Sequence, residues 1–321
     1  MDEFALIRKY FAAAPCAQAG EGVALGIGDD CALLTLPPGE QLAISTDTLV
    51  AGVHFPDLCD PFLLGQRALA VSASDLAAMG ATPLAFTLAL TLPTVDADWL
   101  QAFAQGLDLM AQRCSLRLVG GDTTRGPLSL TMTVFGRVPA GLALTRGGAQ
   151  VGDLLCVGGL LGEGAGALPL VLNQRTAEAS ITEALLARYW SPQPQLALGL
   201  ALRGRATAAL DISDGLLADC GHIAAASNVR LVIEQDALPL SAALLAFLGL
   251  EAAREAALSG GDDYVLAFTM PESQLAGLRA AGSSVHVIGR VEAGQGVCLV
   301  DADGTDVTPL ARGYQHFQDI Q

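Results

Sequence analysis

Five times along this chain an apolar run closes on glycine, serine or threonine and an aspartate. The runs are GIGDDC (Asp29, Asp30), ISTDTLV (Ser45, Thr46, Asp47), SASDLAAMG (Asp75), LVGGDTTRG (Asp122) and LDISDGL (Asp211, Ser213, Asp214). An element that ends in small residues and an aspartate delivers a carboxylate into a crevice with free backbone amides beside it. Hard cations need this arrangement, since Mg²⁺ takes oxygen ligands in octahedral geometry and commonly bridges carboxylates to substrate phosphates. Several carboxylates held close together repel one another unless metal neutralises them. One such aspartate is better explained as a helix cap or a turn seat. Five in one chain, all expected at element ends, argue for a metal and phosphate site.

The elements around these motifs alternate. Phe4, Leu6, Ile7, Tyr10 and Phe11 predict a surface helix over residues 2–13. Strands are expected at Cys31 to Leu36, Leu42 to Thr46, Phe86 to Leu92 and Leu128 to Val138. Helices are expected from about Asp60 to Met79 and from about Ala97 to Gln112, the second capped by Asp96. The glycines of ALTRGGAQVGDLLCVGG mark a change to Leu/Ala-rich sequence, so a second domain is placed at 149–321 after a first at 1–148. That second part reads as a Gly-rich turn, two helices, and the strand TAALDIS running into a helix from Gly215 to Ser227. Then come the strand VRLVIEQ, a helical stretch over 240–257, and the strands YVLAFTM, VHVIGRV and GVCLVDAD. Alternating strands and helices imply an α/β layer.

Acidic residues outnumber Lys plus Arg by 33 to 17, a net charge of −16. Nucleic-acid binding needs the opposite balance, and no nucleic-acid partner is expected. Phosphate substrates would then depend on bound divalent metal. The seven cysteines form no CxxC pair, which fits reduced thiols rather than a disulfide framework or zinc site. The start MDEFALIRKYF has no signal-peptide core, and PLAFTLALTLP is too short to span a bilayer. A cytoplasmic protein with no membrane partner is expected.

No G-x-x-x-x-G-K-[ST] loop occurs, and the only lysine is Lys9, so Walker-type and protein-kinase sites are excluded. Positive charge must come from arginine, with Arg125 and Arg146 in Gly-rich turns the candidates; a surface role suits either equally. The glycine pair ahead of Asp122 reads as a backbone nest for phosphate oxygens. His54, in AGVHFP, is either a phosphate contact or a loop histidine. SGGDDY (Asp262, Asp263, Tyr264) is a further Gly-acid turn suited to a polar substrate contact. In GYQHF, Tyr314 and Phe317 either anchor the C-terminus or stack on a heteroaromatic ring.

LGIGDDCALL, ISTDTLVAGVHF, ALAVSASDLAAMGA, LTLP, LVGGDTTRGPL, DISDGL and SGGDDY occur in this order over nearly the whole chain. Together they resemble the bacterial thiamine-monophosphate kinases of the aminoimidazole-ribotide-synthetase-like superfamily. The resemblance implies an α/β, two-domain architecture: an N-terminal ATP- and Mg-binding domain whose sheet pairs across a homodimer, and a C-terminal α/β domain. It implies transfer of the γ-phosphoryl group of ATP to thiamine monophosphate, with several Mg²⁺ ions. Matched by motif, Asp30, Ser45, Thr46, Asp47, Asp75, Asp122, Asp211 and Asp214 are the implied metal ligands, with Asp30 and Asp75 sharing ions. Gly121, Asp122, Arg146 and Ser213 are the implied nucleotide contacts, and His54, Asp262 and Tyr314 the implied substrate contacts. Asp262 stands where the family pattern has Glu, Val265 where it has a second Glu, and Cys114 roughly where many relatives carry an aromatic. The acceptor is itself an ionised phosphate, so no residue is expected to act as general base. Two other readings share parts of this logic: a synthetase of the same superfamily that activates an amide or formyl oxygen, and a nucleotide or metal sensor without turnover.

Overall fold

The computed structural model describes residues 3–18, 20–309 and 313. The chain divides into two compact units, residues 1–76 with 81–143, and residues 77–80 with 144–321.

The first unit contains α1 (Glu3–Leu6) running into a π-helical turn (Ile7–Ala12), then β1 (Val23–Leu25), β2 (Leu33–Leu34) and β3 (Glu40–Val50). Helix α2 (Pro61–Ala78), β4 (Thr82–Leu92), α3 (Ala97–Cys114), β5 (Arg117–Arg125) and β6 (Ser129–Pro139) follow. Its main sheet has the order β3-β6-β4-β5, parallel only between β4 and β5, which α3 connects. Strand β6 alternates cleanly: Leu130, Met132, Val134 and Val138 are buried, as a sheet with one covered face requires. Helix α3 starts as its sequence predicts, with the Asp96 carboxylate accepting from the amides of Asp98 and Trp99 at 2.9 and 3.1 Å. It packs hard against α2. A Cβ at Gly106 would stand 1.9 Å from the Phe62 carbonyl oxygen, so only glycine lets the two backbones approach this closely.

In the second unit β7 (Leu154–Val157) leads into the short helices α4 (Glu163–Gly166) and α5 (Leu168–Val171), then α6 (Ala179–Trp190) and α7 (Leu196–Leu202). Strand β8 (Ala208–Asp211), α8 (Leu216–Ser227), β9 (Arg230–Glu234), α9 (Ala242–Leu248) and α10 (Leu250–Ser259) come next. The unit closes with β10 (Leu266–Met270), α11 (Glu272–Ala280), β11 (His286–Glu292) and β12 (Gly296–Val300). The six strands run β12-β9-β11-β7-β10-β8, antiparallel except for β12 beside β9. Both faces are covered. Leu155 and Val157 pack with Leu210, Ile223 and Ile288 on one side, while Cys156 packs with Phe268, Leu202 and Leu278 on the other. Burial on two faces is why these strands read as unbroken apolar runs.

The structure corrects several expectations. The strand expected at Cys31–Leu36 shrinks to Leu33–Leu34, and the stretch over 240–257 breaks into α9 and α10 at Gly249. Asp47 and Asp122 do not end their elements but lie within strands, because β3 pairs with β6 along all eleven residues and β5 runs on to Arg125. The glycine pair before Asp122 is accordingly not a turn nest. It forms part of a bulged strand, with an extra residue at Val119 relative to β4. A Cβ on Gly121 would meet the Leu88 carbonyl oxygen at 1.9 Å.

Candidate active site

Strand alternation decides what β3 presents on each face. Ser45 and Asp47 point to one side and Thr46 to the other. On the first side they meet α2, where Ser72 and Asp75, three residues apart, share a helix face. The Ser45 hydroxyl donates to the Asp75 carboxylate in a short hydrogen bond. Burial, then the negative charge of Asp75, pushes the Asp47 carboxyl up to about 6, against a hydrogen bond from Ser72 that pulls it down. Two carboxylates that destabilise each other's ionised form are what a cation would relieve. Thr46 does not join this group through its side chain, whose hydroxyl is 3.0 Å from that of Thr133 on the opposite face.

A second group borders a cavity of about 780 Å³, lined by neither Asp47 nor Asp75. Asp29, Asp30, Gly121 and Asp122 reach it, with Arg8 of the π-helical turn and an apolar floor that includes Phe11, Ile27 and Leu118. Asp30 and Asp122 are exposed. Arg125 lies at the far end of β5, bordering a different cavity with Thr124 and Val95. His54 follows β3. Its Nδ1 accepts the Val50 amide at 3.0 Å, which in the neutral ring leaves the proton on Nε2. Cys114 sits in the core at the end of α3, 3% exposed, with its thiol pushed up to about 12 by burial. It lines neither of these cavities.

In the second unit Asp211 ends β8, and the turn through Ser213, Asp214 and Gly215 opens α8. One oxygen of the buried Asp219 accepts the amides of Ser213, Asp214 and Gly215 at 3.0, 3.0 and 3.2 Å. Beside this turn runs the segment from Gly261 to Tyr264. Asp262 and Tyr264 adopt left-handed conformations (φ 62° and 50°), uncommon for such residues. They are held there because their amides donate to the carbonyls of Ser213 and Ile212 at 2.9 and 2.8 Å. The Tyr264 hydroxyl donates to Asp262 Oδ1 at 2.8 Å, so the tyrosine orients the candidate substrate carboxylate. Asp263 accepts the Gly162 amide at 2.8 Å, and burial raises its carboxyl to about 7. Asp262 and Asp263 border a cavity of about 410 Å³ with Glu163, Arg188, Gln193 and His286. Glu163 and Arg188 pair at 3.0 Å. The Arg146 carbonyl is fixed by the Ser227 hydroxyl at 3.1 Å, while its side chain is exposed. Tyr314 lies outside the described residues.

Among the described residues no three Asp, Glu, His or Cys side chains are grouped tightly enough to hold a metal by themselves. The donors are nevertheless all oxygen, and Asp47 faces Asp75 at a desolvated strand. That set fits a hard divalent cation that takes one or two carboxylates and completes its shell with water and phosphate oxygens. Sequence reading singled out Asp47, Asp75, Asp122, Asp211 and Asp214 but missed Asp219. The available signal was a carboxylate inside the otherwise apolar helix start GLLADC.

Comparison with known proteins places these features in context. Residues 28–138 match the family model of the AIR synthase related protein, N-terminal domain, and residues 150–301 match that of the C-terminal domain. The thiamine-monophosphate kinase of Escherichia coli K12 is 47% identical over 322 residues, covering 98% of both chains. The crystal structure of thiamine-monophosphate kinase from Stenotrophomonas maltophilia K279a superposes with a TM-score of 0.86 at 46% identity, over 95% of this chain and 97% of that one. AaThiL complexed with AMPPCP and TMP superposes with a TM-score of 0.80 at 31% identity, over 88% and 89%.

Proposed function

The chain belongs to the thiamine-monophosphate kinase family, and from that premise we infer that it transfers the γ-phosphoryl group of ATP to thiamine monophosphate, forming thiamine diphosphate and ADP. The observation that carries this reading is agreement at 47% identity over 98% of both chains, not a shared fragment.

The chemistry asks little of side chains as acids or bases. The attacking oxygen belongs to a phosphate ionised at neutral pH, so nothing need remove its proton. What remains is to align two polyanions and cancel their repulsion. Asp30, Ser45, Asp47, Asp75, Asp122, Asp211 and Asp214 would hold Mg²⁺, with Thr46 contributing through its main chain because its hydroxyl is engaged with Thr133. Bound Mg²⁺ supplies the positive charge that an acidic protein cannot. The Gly121 backbone, the exposed Ser213 hydroxyl and the Arg146 guanidinium are the nucleotide contacts in this reading. The Nε2–H of His54 is a donor for the acceptor phosphate. Asp262, oriented by Tyr264, offers an anionic acceptor to the amino group on the pyrimidine ring of thiamine.

The same reading extends to assembly. β3 is an edge strand of eleven residues, with Leu42 and Ile44 exposed at 39% and 57%. A long edge of this kind is an aggregation hazard unless covered, and a two-fold partner strand supplies that cover. A cytoplasmic location suits seven free thiols, five of them buried. Among the described residues no helix is long and apolar enough to cross a membrane, and the net charge of −16 opposes nucleic-acid binding.

The test is product formation by purified protein with ATP and Mg²⁺, using thiamine monophosphate and free thiamine in parallel. Thiamine diphosphate from the monophosphate alone is the expected result. ATP binding with no product from either acceptor would shift the reading to a synthetase or sensor.

A further inference from the structure

Asp219 has no part in the chemistry described above, yet it is 4% exposed, carries a carboxylate, and spends one oxygen on three consecutive backbone amides. Those amides belong to Ser213, Asp214 and Gly215, the turn that follows Asp211 and contains Asp214, the two carboxylates expected to bind metal from the second unit. A carboxylate accepting several amides from one turn fixes the orientation of each peptide plane, and charge-assisted bonds of this kind are stronger than neutral ones. We propose that Asp219 is a positioning residue that locks the Ser213–Gly215 turn in the geometry from which Asp211 and Asp214 bind metal. The inference rests on the reading of those two aspartates as metal ligands.

Two further observations indicate a lock rather than an ordinary helix-start contact. The other side of the same turn is also committed. The Ile212 and Ser213 carbonyls accept the amides of Tyr264 and Asp262, so a shift in the turn would move the candidate substrate carboxylate as well. There is also no slack. A Cβ at Gly261 would lie 2.3 Å from the Ser213 carbonyl oxygen, and one at Gly215 would lie 2.9 Å from the Ser259 carbonyl carbon. The turn is wedged on its flank and tied beneath by Asp219. The carboxylate thereby couples the metal-side and substrate-side segments of this unit.

The experiment compares the full chain with Asp219→Ala, Asp219→Asn and, as a control, Asp214→Asn. Three readouts are used: amide hydrogen exchange at residues 213–215 in metal-free protein, Mn²⁺ affinity by electron paramagnetic resonance, and the Mg²⁺ dependence of turnover. Residues that orient metal ligands typically contribute about 10–100-fold in affinity or activity. Asp219→Ala is expected to speed exchange at the three amides, to weaken Mn²⁺ binding by about tenfold or more, and to raise the Mg²⁺ requirement. Asp219→Asn keeps one acceptor oxygen in the same shape, so it should fold and fall between wild type and the alanine variant. If Asp219→Ala does not fold, Asp219→Asn decides, and wild-type exchange with wild-type Mn²⁺ affinity in it overturns the proposal. A purely structural role would lower thermal stability while leaving Mn²⁺ affinity and Mg²⁺ dependence unchanged, and that result also overturns it. If Asp214→Asn binds Mn²⁺ like wild type, the metal-ligand reading fails and the proposal falls with it. If Asp214→Asn loses metal while both Asp219 variants keep it, only the proposal fails.

Discussion

Asp47, Asp262 and Asp263 are all aspartates in small-residue contexts, yet their surroundings assign them different work. Asp47 is desolvated beside Asp75, so replacing it relieves a repulsive pair and removes a proposed metal ligand. Asp47→Ala and Asp122→Ala are each expected to lower turnover by about 100-fold or more with the circular dichroism spectrum intact; near-native turnover in either would remove that residue from the site. Tyr264→Phe deletes the hydroxyl that donates to Asp262, and a net hydrogen bond of about 1 kcal/mol corresponds to a several-fold rise in KM for the acceptor. The KM for ATP should not move, and steady-state kinetics with each substrate varied separates the two. Asp263 makes its mark on stability. Its carboxyl is raised from 3.8 to about 7, so between those values the folded protein keeps a proton that the unfolded chain has lost. Stability from this group is complete below about 3.8 and is lost as pH rises through about 7. Asp263→Asn cannot ionise. Going from about pH 8 to about pH 5, the melting temperature of wild type should therefore rise relative to the variant, and parallel pH profiles would contradict the assignment. The sequence displayed all three aspartates but not these differences, because burial and neighbours set them. Asp219 was harder still, since its partners are backbone amides that carry no sequence signal.

At the scale of elements, the long helices of the first unit announced themselves, whereas α11 and the glycine-containing strand did not. Asp96 and the 3.6-residue spacing of Trp99, Phe103, Leu107 and Met110 were enough to define α3 from its first residue. β5 is missing from the expected strands, and its glycine pair reads as a nest, because consecutive glycines are far commoner in turns than in strands. Its Gly121 is there for clearance from β4, a long-range reason that local reading cannot supply. The same kind of clearance joins α2 to α3. Gly106→Ala would drive a methyl group into the Phe62 carbonyl, and overpacking of this sort costs about 1–3 kcal/mol. A lowered denaturation midpoint with unchanged turnover per folded molecule is expected. An unshifted midpoint would mean the helices can separate freely. The β3 strand was underestimated at both ends for a related reason: its outer face carries threonines and exposed aliphatics, so period-two alternation of apolar and polar residues is weak there.

For the molecule as a whole, the two-unit α/β architecture and the reaction class were legible because they depend on motif order across the entire chain. The grouping of the acids was not. Within the first unit Asp47 lies beside Asp75, and Asp30 and Asp122 border one cavity; within the second, Asp214 lies in the turn that follows Asp211. Among the described residues no three Asp, Glu, His or Cys side chains are grouped to hold a metal, and a hard cation on one or two of these carboxylates would complete its shell with water and substrate phosphate oxygens. Metal and substrate binding should accordingly be cooperative. The central claim is direct transfer of one phosphoryl group onto an acceptor that is already phosphorylated. Its sharpest test is single-turnover reaction with ATP carrying isotopic label in the γ-phosphate, followed by ³¹P NMR of the products. The account predicts label only in the terminal phosphate of thiamine diphosphate, with ADP formed in equal amount. Label in free phosphate, or AMP formed with a transferred diphosphate, would contradict it.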